Sequence, residues 1–335
     1  PPPKPALKVF PRKREKLNFI GGDRVILVGD GLIEQAQKHG YLEYRITVQN
    51  SGKKLYFHNI GWSGDTPAGI ARDGLGTRQA GHEPANEGWL QLSRQIADIK
   101  PTVAIIGYGM ASTLDGSTLE QFKSDYQRLV AHIKASAGKK NRMRLVFMTP
   151  IAHENLGGKL PSGEAHNAIL EKYREAIGDM AKEHDAWFVD LYRYLKRRKG
   201  STTPAMTVDG IHLTDYGYWV MAGATEFSFN WSPTNFRFGI MQDGTERGGG
   251  YGIKLGNISK TDSGVTMDGK FDGLPPYFGR EEKGTLFTQQ TAIGRIQILG
   301  LPEGRFTLAA DGEEVLTAET REWSQGAYID AGPDV

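Results

Sequence analysis

Short apolar runs that alternate with helical segments constrain this chain more than any other feature. Val25–Val28, Val103–Ile106, Arg144–Met148 and Ala186–Asp190 are too short for helices. A further run, Lys54–Ile60, reads as a strand with a mixed face. Helix-period segments lie between them: Leu32–Tyr44, interrupted at Gly40, then Asn86–Ile99, Leu119–Ile133 and Ala165–Ala181. Thr214-Asp215 can cap a last helix running to about Phe227. Strands that alternate with helices in this way predict a parallel sheet covered on both faces. Ligands of such sheets bind outside the carboxyl ends of the strands. The turns at Gly29-Asp30-Gly31, Gly61-Trp62-Ser63-Gly64-Asp65-Thr66 and Gly107-Tyr108-Gly109-Met110-Ala111 all fall there, as does the 149–155 segment with His153. Residues 67–86, rich in glycine and without period, read as a long loop.

The pattern changes near residue 230. Short alternating runs and glycines take over (Phe238–Met241, Tyr251–Leu255, Arg295–Leu299, Arg305–Leu308), Pro275-Pro276 marks a loop, and Asp311-Gly312 is a hairpin signal. The expected organisation is a Pro-rich basic linker over 1–20, an α/β domain over 21–230 and a smaller all-β domain over 231–335. The β domain carries no catalytic pattern, so packing, shaping a cleft or touching a polymer are its expected roles. Arg12-Lys13-Arg14 reads as a solvated part of the linker. The opening Pro1-Pro2-Pro3 reads as the start of a mature or trimmed chain, and Tyr328–Val335 as a segment whose natural continuation runs further.

A formal charge of +2 gives no argument for nucleic acid or an anionic membrane as partner. With no cysteine, disulfides, thiolate metal sites and a cysteine nucleophile are excluded. No apolar stretch approaches the roughly 18 residues of a membrane span. No signal peptide is visible, and the expected setting is secreted or periplasmic, with any such peptide absent from this chain.

Asp209 and His212, three residues apart before a helix, suit a base and its orienter: a carboxylate fixes the imidazole tautomer while the ring moves a proton. Gly64, at a strand end, lets backbone approach a ligand and donate to a developing oxyanion, or serves only the turn's geometry. His153, His212, Asp30 and Asp209 show no metal-ligand spacing, so neither a metal nor a cofactor is expected.

The order of these pieces resembles the SGNH/GDSL hydrolase superfamily over about residues 20–230: Gly29-Asp30-Gly31, Asn59 to Asp65, Gly109-Met110-Ala111, and Asp209 to His212. The layout with a β-rich tail also resembles esterase-like proteins of planctomycete-type bacteria. The resemblance implies a flavodoxin-like three-layer fold, His212 as general base, Asp209 as its orienter and Gly64 as an oxyanion donor. It also exposes two departures. The family's serine nucleophile falls on Gly31, and its oxyanion asparagine on Ala111 or, with the block shifted, Gly109.

The expected function is therefore hydrolysis of a carbohydrate or its ester substituents through an altered site. Asp30, Asp209 and His212 are the catalytic candidates. Gly31, Gly64, Gly109, Ala111, Trp62, Ser63, Asp65, Tyr108 and His153 are the oxyanion and substrate candidates, with Ser63 read as positioning its loop rather than as a substitute nucleophile. Two alternatives stand beside it. One is a glycosidase using two of Asp30, Asp65 and Glu34. The other is an inactive carbohydrate-binding protein with Trp62, Tyr108 and Trp219 as stacking faces, Trp219 being favoured as core. An engineered inactivation at Gly31 would need a second change at the missing asparagine.

Overall fold

β1 (Arg24–Gly29) sits inside a five-stranded, all-parallel sheet with β2 (Tyr56–Asn59), β3 (Val103–Gly107), β4 (Arg144–Met148) and β5 (Trp187–Val189), in the order β2-β1-β3-β4-β5. That order is the flavodoxin-like one. The computed structural model describes residues 7–72, 86–137, 143–159, 162–196, 205–231, 236–271 and 294–329. The chain divides into two units, Pro1–Thr47 with Gly52–Ser232, and Pro233–Val335 with Val48–Ser51.

The two-residue period of each strand feeds two separate cores. Val25, Leu27, Val103, Ile105, Val146 and Met148 face one side, against Ile33 of α1 (Gly31–His39), Leu42 and Ile46 of α2 (Tyr41–Gln49), and Val220 and Met221 of α7 (Asp215–Ser228). Ile26, Val28, Ala104, Ile106, Leu145 and Phe147 face the other. They pack on Leu92 and Ile96 of α3 (Glu87–Ile99), Phe122, Tyr126 and Leu129 of α4 (Leu119–Ser136), and Ile177 of α5 (Glu164–Glu183). Each such side chain is worth about 1.5–3 kcal/mol relative to exposure, which is why these strands are apolar on both faces.

Glycine brings α1 down onto the strand ends. Gly29 and Gly107 pair across β1 and β3. A Cβ on Gly29 would lie 2.2 Å from the Gly107 carbonyl oxygen and 2.4 Å from Ile33 Cγ1. The predicted helix over 32–44 is two helices, because Gly40 at φ +68° closes α1 and donates to the Ala36 carbonyl.

Three further departures from the sequence reading have local causes. The 7–20 segment is not a solvated linker: Leu17 and Phe19 are buried in the first core, Arg12 donates to the Phe227 carbonyl, and the Lys13 ammonium sits 4.1 Å from the Trp187 ring centroid. A 3-10 turn, Ile70–Arg72, interrupts the predicted loop, whose residues 73–85 lie outside the described residues. The six-residue α6 (Leu191–Lys196) is too short to show a period.

The second unit holds a four-stranded sheet, ordered β13-β10-β6-β7, from β6 (Phe236–Met241), β7 (Glu246–Tyr251), β10 (Gly294–Leu299) and β13 (Ala327–Ile329). Two antiparallel pairs join it: β8 (Ile253–Lys260) with β9 (Val265–Phe271), and β11 (Arg305–Ala310) with β12 (Glu313–Glu319). Asp311 and Gly312 turn the last hairpin, with φ +50° and +87°. Its core centres on Phe236, Phe238, Ile240, Ile296, Ile298 and Trp323. Trp323 comes from α8 (Thr320–Gln325), a helix that the all-β reading omits. The Pro275-Pro276 loop lies outside the described residues.

Candidate active site

Above the carboxyl ends of β1 and β3 lies a cleft of about 190 Å³. Its walls include Asp30, Gly31, Ser63, Gly64, Tyr108, Ala111 and His212, and with Pro150 and Ile151 five separate chain segments meet there. Apolar side chains complete it: Leu32, Met110, Leu114, Pro150, Ile151 and Ile211.

Asp30 shapes the floor. It caps α1, accepting from the Leu32 N–H at 3.2 Å, and reaches across to the third strand's turn to accept from the Met110 and Ala111 N–H groups at 3.1 and 3.3 Å. Burial raises its pKa to about 6, against the opposing pull of those N–H groups and that of Gly109. Asp30 is therefore an organiser of two turns rather than an open acid or base. Two oxyanion assignments are corrected: the Ala111 N–H points at Asp30 and the residue offers the cleft only a methyl group, while Gly109 is absent from the cleft wall.

Two donors remain. In the first turn of α1, Leu32 N–H serves the Asp30 side chain, and the Ile33 and Glu34 N–H groups serve its carbonyl. The Gly31 N–H, which has no intrahelical acceptor, is left for the cleft. Gly64, at φ +76°, lines the same cleft beside Ser63.

The Asp209–His212 pair forms as its spacing predicts. His212 Nδ1 lies 2.7 Å from Asp209 Oδ2, while Asp209 Oδ1 accepts from the Ile211 and His212 N–H groups at 3.1 and 2.9 Å. Partial burial raises the Asp209 pKa, but the His212 ring and the two N–H groups outweigh it and hold the carboxyl below its ordinary value. With Nδ1 engaged, Nε2 is the ring nitrogen left to a reactant.

The other candidates scatter. Ser63 lines the cleft, and its hydroxyl and N–H both bond the Glu34 carboxylate. Trp62 is 39% exposed beside it, with the Arg72 guanidinium 5.6 Å from its ring centroid. Asp65 is absent from the cleft wall. It is fully buried, bound by Arg72 Nε at 2.8 Å and by the Tyr108 hydroxyl at 3.3 Å. Engaged there, it cannot be half of a two-carboxylate pair. Tyr108 is 1% exposed and presents no face for stacking. Trp219 packs partly buried against the first core with Arg45 over its ring. His153 is not on the cleft wall either; it packs behind the Asp209–His212 loop, against Gly210. Among the described residues no group of three or more His, Asp or Glu could hold a metal ion, and no helix is long and apolar enough to cross a membrane.

A model of the GDSL-like lipase/acylhydrolase family matches residues 27–220, more than half of the chain. The chain belongs to that family. No curated protein sequence matches it. Among solved structures, a gut microbial diltiazem-metabolizing enzyme superposes with a TM-score of 0.66 at 16% identity, over 95% of this chain and 76% of its own. An acetylxylan esterase from Geobacillus stearothermophilus gives 0.47 at 16% identity, over 64% and 96%. An α/β hydrolase from the metagenome of Lake Arreo gives 0.47 at 17%, over 63% and 97%. At these identities the likeness concerns the fold.

Asp30 yields a test of the floor. Its raised pKa means that the folded state holds the proton more tightly than the unfolded chain. Stability is then fully present below the ordinary carboxylate pKa of 3.8 and is lost as pH rises through about 6. The shift corresponds to about 3 kcal/mol. In urea unfolding at pH 4, 5, 6 and 7, the parent is expected to lose about that much stability relative to Asp30→Asn, mostly between pH 4 and 6. Parallel curves for the two chains would contradict it.

Proposed function

We propose that this chain hydrolyses acyl esters without a serine acyl-enzyme, His212 activating the attacking water directly. The observation that carries this reading is one wall shared by the Asp209-oriented His212 and the glycine backbone of positions 31 and 64. His212 Nε2 takes a proton from a water held over Gly31, and the water oxygen attacks the acyl carbon. The carbonyl oxygen becomes an oxyanion, with the Gly31 and Gly64 N–H groups as its donors. As it collapses, the C–O bond to the alcohol breaks and His212 returns the proton to the leaving oxygen. The products are a carboxylic acid and an alcohol.

The apolar wall of Leu32, Met110, Leu114, Pro150, Ile151 and Ile211 supports an acyl group on the acid side. An acylated carbohydrate fits the alcohol side, where the exposed Trp62 gives a ring for a sugar to stack on. A panel of acylated and unsubstituted oligosaccharides with simple acyl esters, read by mass spectrometry, tests this. Loss of acyl groups from intact chains, with no acyl adduct on the protein, is the expected result. Cleaved glycan chains, or saturable binding without product, would overturn it.

A further inference from the structure

The residues behind the Asp209–His212 loop form a chain of bonds that the hydrolytic step does not use. His153, after β4, and His166, in the first turn of α5, meet edge to face with Nδ1 to Nδ1 at 3.0 Å. His166 Nε2 lies 2.7 Å from Thr113 Oγ1.

The tautomers follow from the threonine. Its hydroxyl donates to the Met110 carbonyl at 2.7 Å, and a hydroxyl has one proton. Toward His166, then, Thr113 can only accept, so His166 Nε2 carries a hydrogen. A neutral His166 has a bare Nδ1, which must accept from His153 Nδ1–H. His153 Nε2 is left bare, and it is a buried nitrogen without a partner.

That bare nitrogen faces the loop where only a glycine leaves room for it. It lies 2.6 Å from where a Cβ on Gly210 would stand. The next residue, Glu154, grips the same loop: its N–H donates to the Gly210 carbonyl at 2.8 Å, and its carboxylate accepts from Met206 N–H, Thr207 N–H and the Thr207 hydroxyl. Thr207 Oγ1 in turn accepts from Gly210 N–H at 3.0 Å. At the other end, Thr113 closes the short 3-10 turn (Ala111–Thr113) whose first N–H is held by Asp30.

We propose that His153 and His166 are positioning residues, a neutral hydrogen-bonded pair that sets the loop carrying Asp209 and His212 and ties it to the turn that Asp30 holds. A proton that reaches His166 Nδ1 puts hydrogens on both facing nitrogens and breaks the 3.0 Å contact, so the pair holds only while that nitrogen is bare. Burial and the facing His153 lower the pKa of His166, so its Nδ1 stays bare below the ordinary histidine range. Charged groups on the surrounding elements are Glu154, Asp209 and His212 on the loops, Asp115 beyond the 3-10 turn and Glu164 on α5. Glu154 and Asp209 are engaged by bonds of their own. The catalytic consequence rests on the acyl-hydrolase reading; the tautomers and the coupling to Gly210 do not.

Side-chain proton–nitrogen correlation spectra of the ¹⁵N-labelled full chain between pH 8 and pH 5 test the pair. At pH 8 the expected protons are on Nε2 of His166 and Nδ1 of His153, and the Gly210 and His212 amide resonances move with the His166 titration. In His166→Gln, which keeps a donor for Thr113 and does not titrate, that step vanishes from Gly210. His166→Ala is expected to lower kcat about 10–100-fold with KM within twofold, and His166→Gln to recover most of the loss. A proton on Nδ1 of His166 at pH 8, or a Gly210 amide indifferent to the His166 titration, overturns the proposal. Correct tautomers in a chain that hydrolyses no ester would sustain the pair and reject the acyl-hydrolase reading instead.

Discussion

With His212→Ala, turnover of acyl esters is expected to fall by about 10²–10⁴ in kcat, the usual contribution of a positioned general base. No other ring nitrogen lines the cleft among the described residues, since His153 and His166 bond each other behind the loop. Asp209→Asn is expected to lose nearly as much, because its carboxylate fixes the ring through Nδ1 at 2.7 Å. The two losses will not add, since the residues act as one unit. Asp209 is held below its ordinary carboxylate value and stays ionised at neutral and mildly acidic pH, so it keeps orienting the ring there. Both side chains are more than one-third exposed, and neither substitution should shift Tm by more than a few degrees. Steady-state kinetics on the folded variants checks this. A His212→Ala chain that turns over at the parent rate would end the reading.

What was legible in the sequence followed from local chemistry. Continuous apolar runs at β1, β3 and β4, separated by helical segments, marked a sheet buried on both faces, and that sheet placed the turns at 29–31, 61–66 and 107–111 on one edge. Asp209 and His212 were readable because three residues of loop bring carboxylate and ring together. The failures are contacts that local spacing does not encode. Asp30 looks like an open acid until the 109–111 turn, some 80 residues away, turns its N–H groups onto it. Tyr108 and Asp65 sit in polar, glycine-rich turns that read as exposed, yet they close on each other, and Asp65 on Arg72. The histidine pair is more remote still, for Thr113, His153, His166 and Gly210 come from four separate segments. One signal was available for it: Gly210 in a catalytic loop marks a close approach, although not by what.

Gly31→Ser is expected to convert the parent, which forms no covalent adduct with a fluorophosphonate, into a chain that does. The substitution fits sterically. A Cβ at position 31 meets Ser63 Oγ at 3.3 Å and the Ser63 Cα and Cβ at 3.9 Å, so only a rotatable hydroxyl has to give by a few tenths of an ångström. The position is the first of α1, its φ is not left-handed, and stability should stay within about 1 kcal/mol of the parent. The new hydroxyl would stand on the wall that carries His212 and Gly64. Labelling will be slow, because Ala111 supplies no side-chain donor and one missing oxyanion donor costs about 10²–10³ in rate. Adding Ala111→Asn to Gly31→Ser is expected to restore about that factor. Ester hydrolysis should change character as well: the serine takes the place of the attacking water, so a burst of alcohol equal to the enzyme concentration precedes a steady state limited by deacylation. Intact-mass measurement of the adduct and stopped-flow detection of the burst both report on it. A Gly31→Ser chain with the parent's Tm that takes no label and shows no burst would mean that His212 and the two glycine N–H groups do not converge on one acyl carbon. A labelled parent would mean that another hydroxyl already does what the family's serine does.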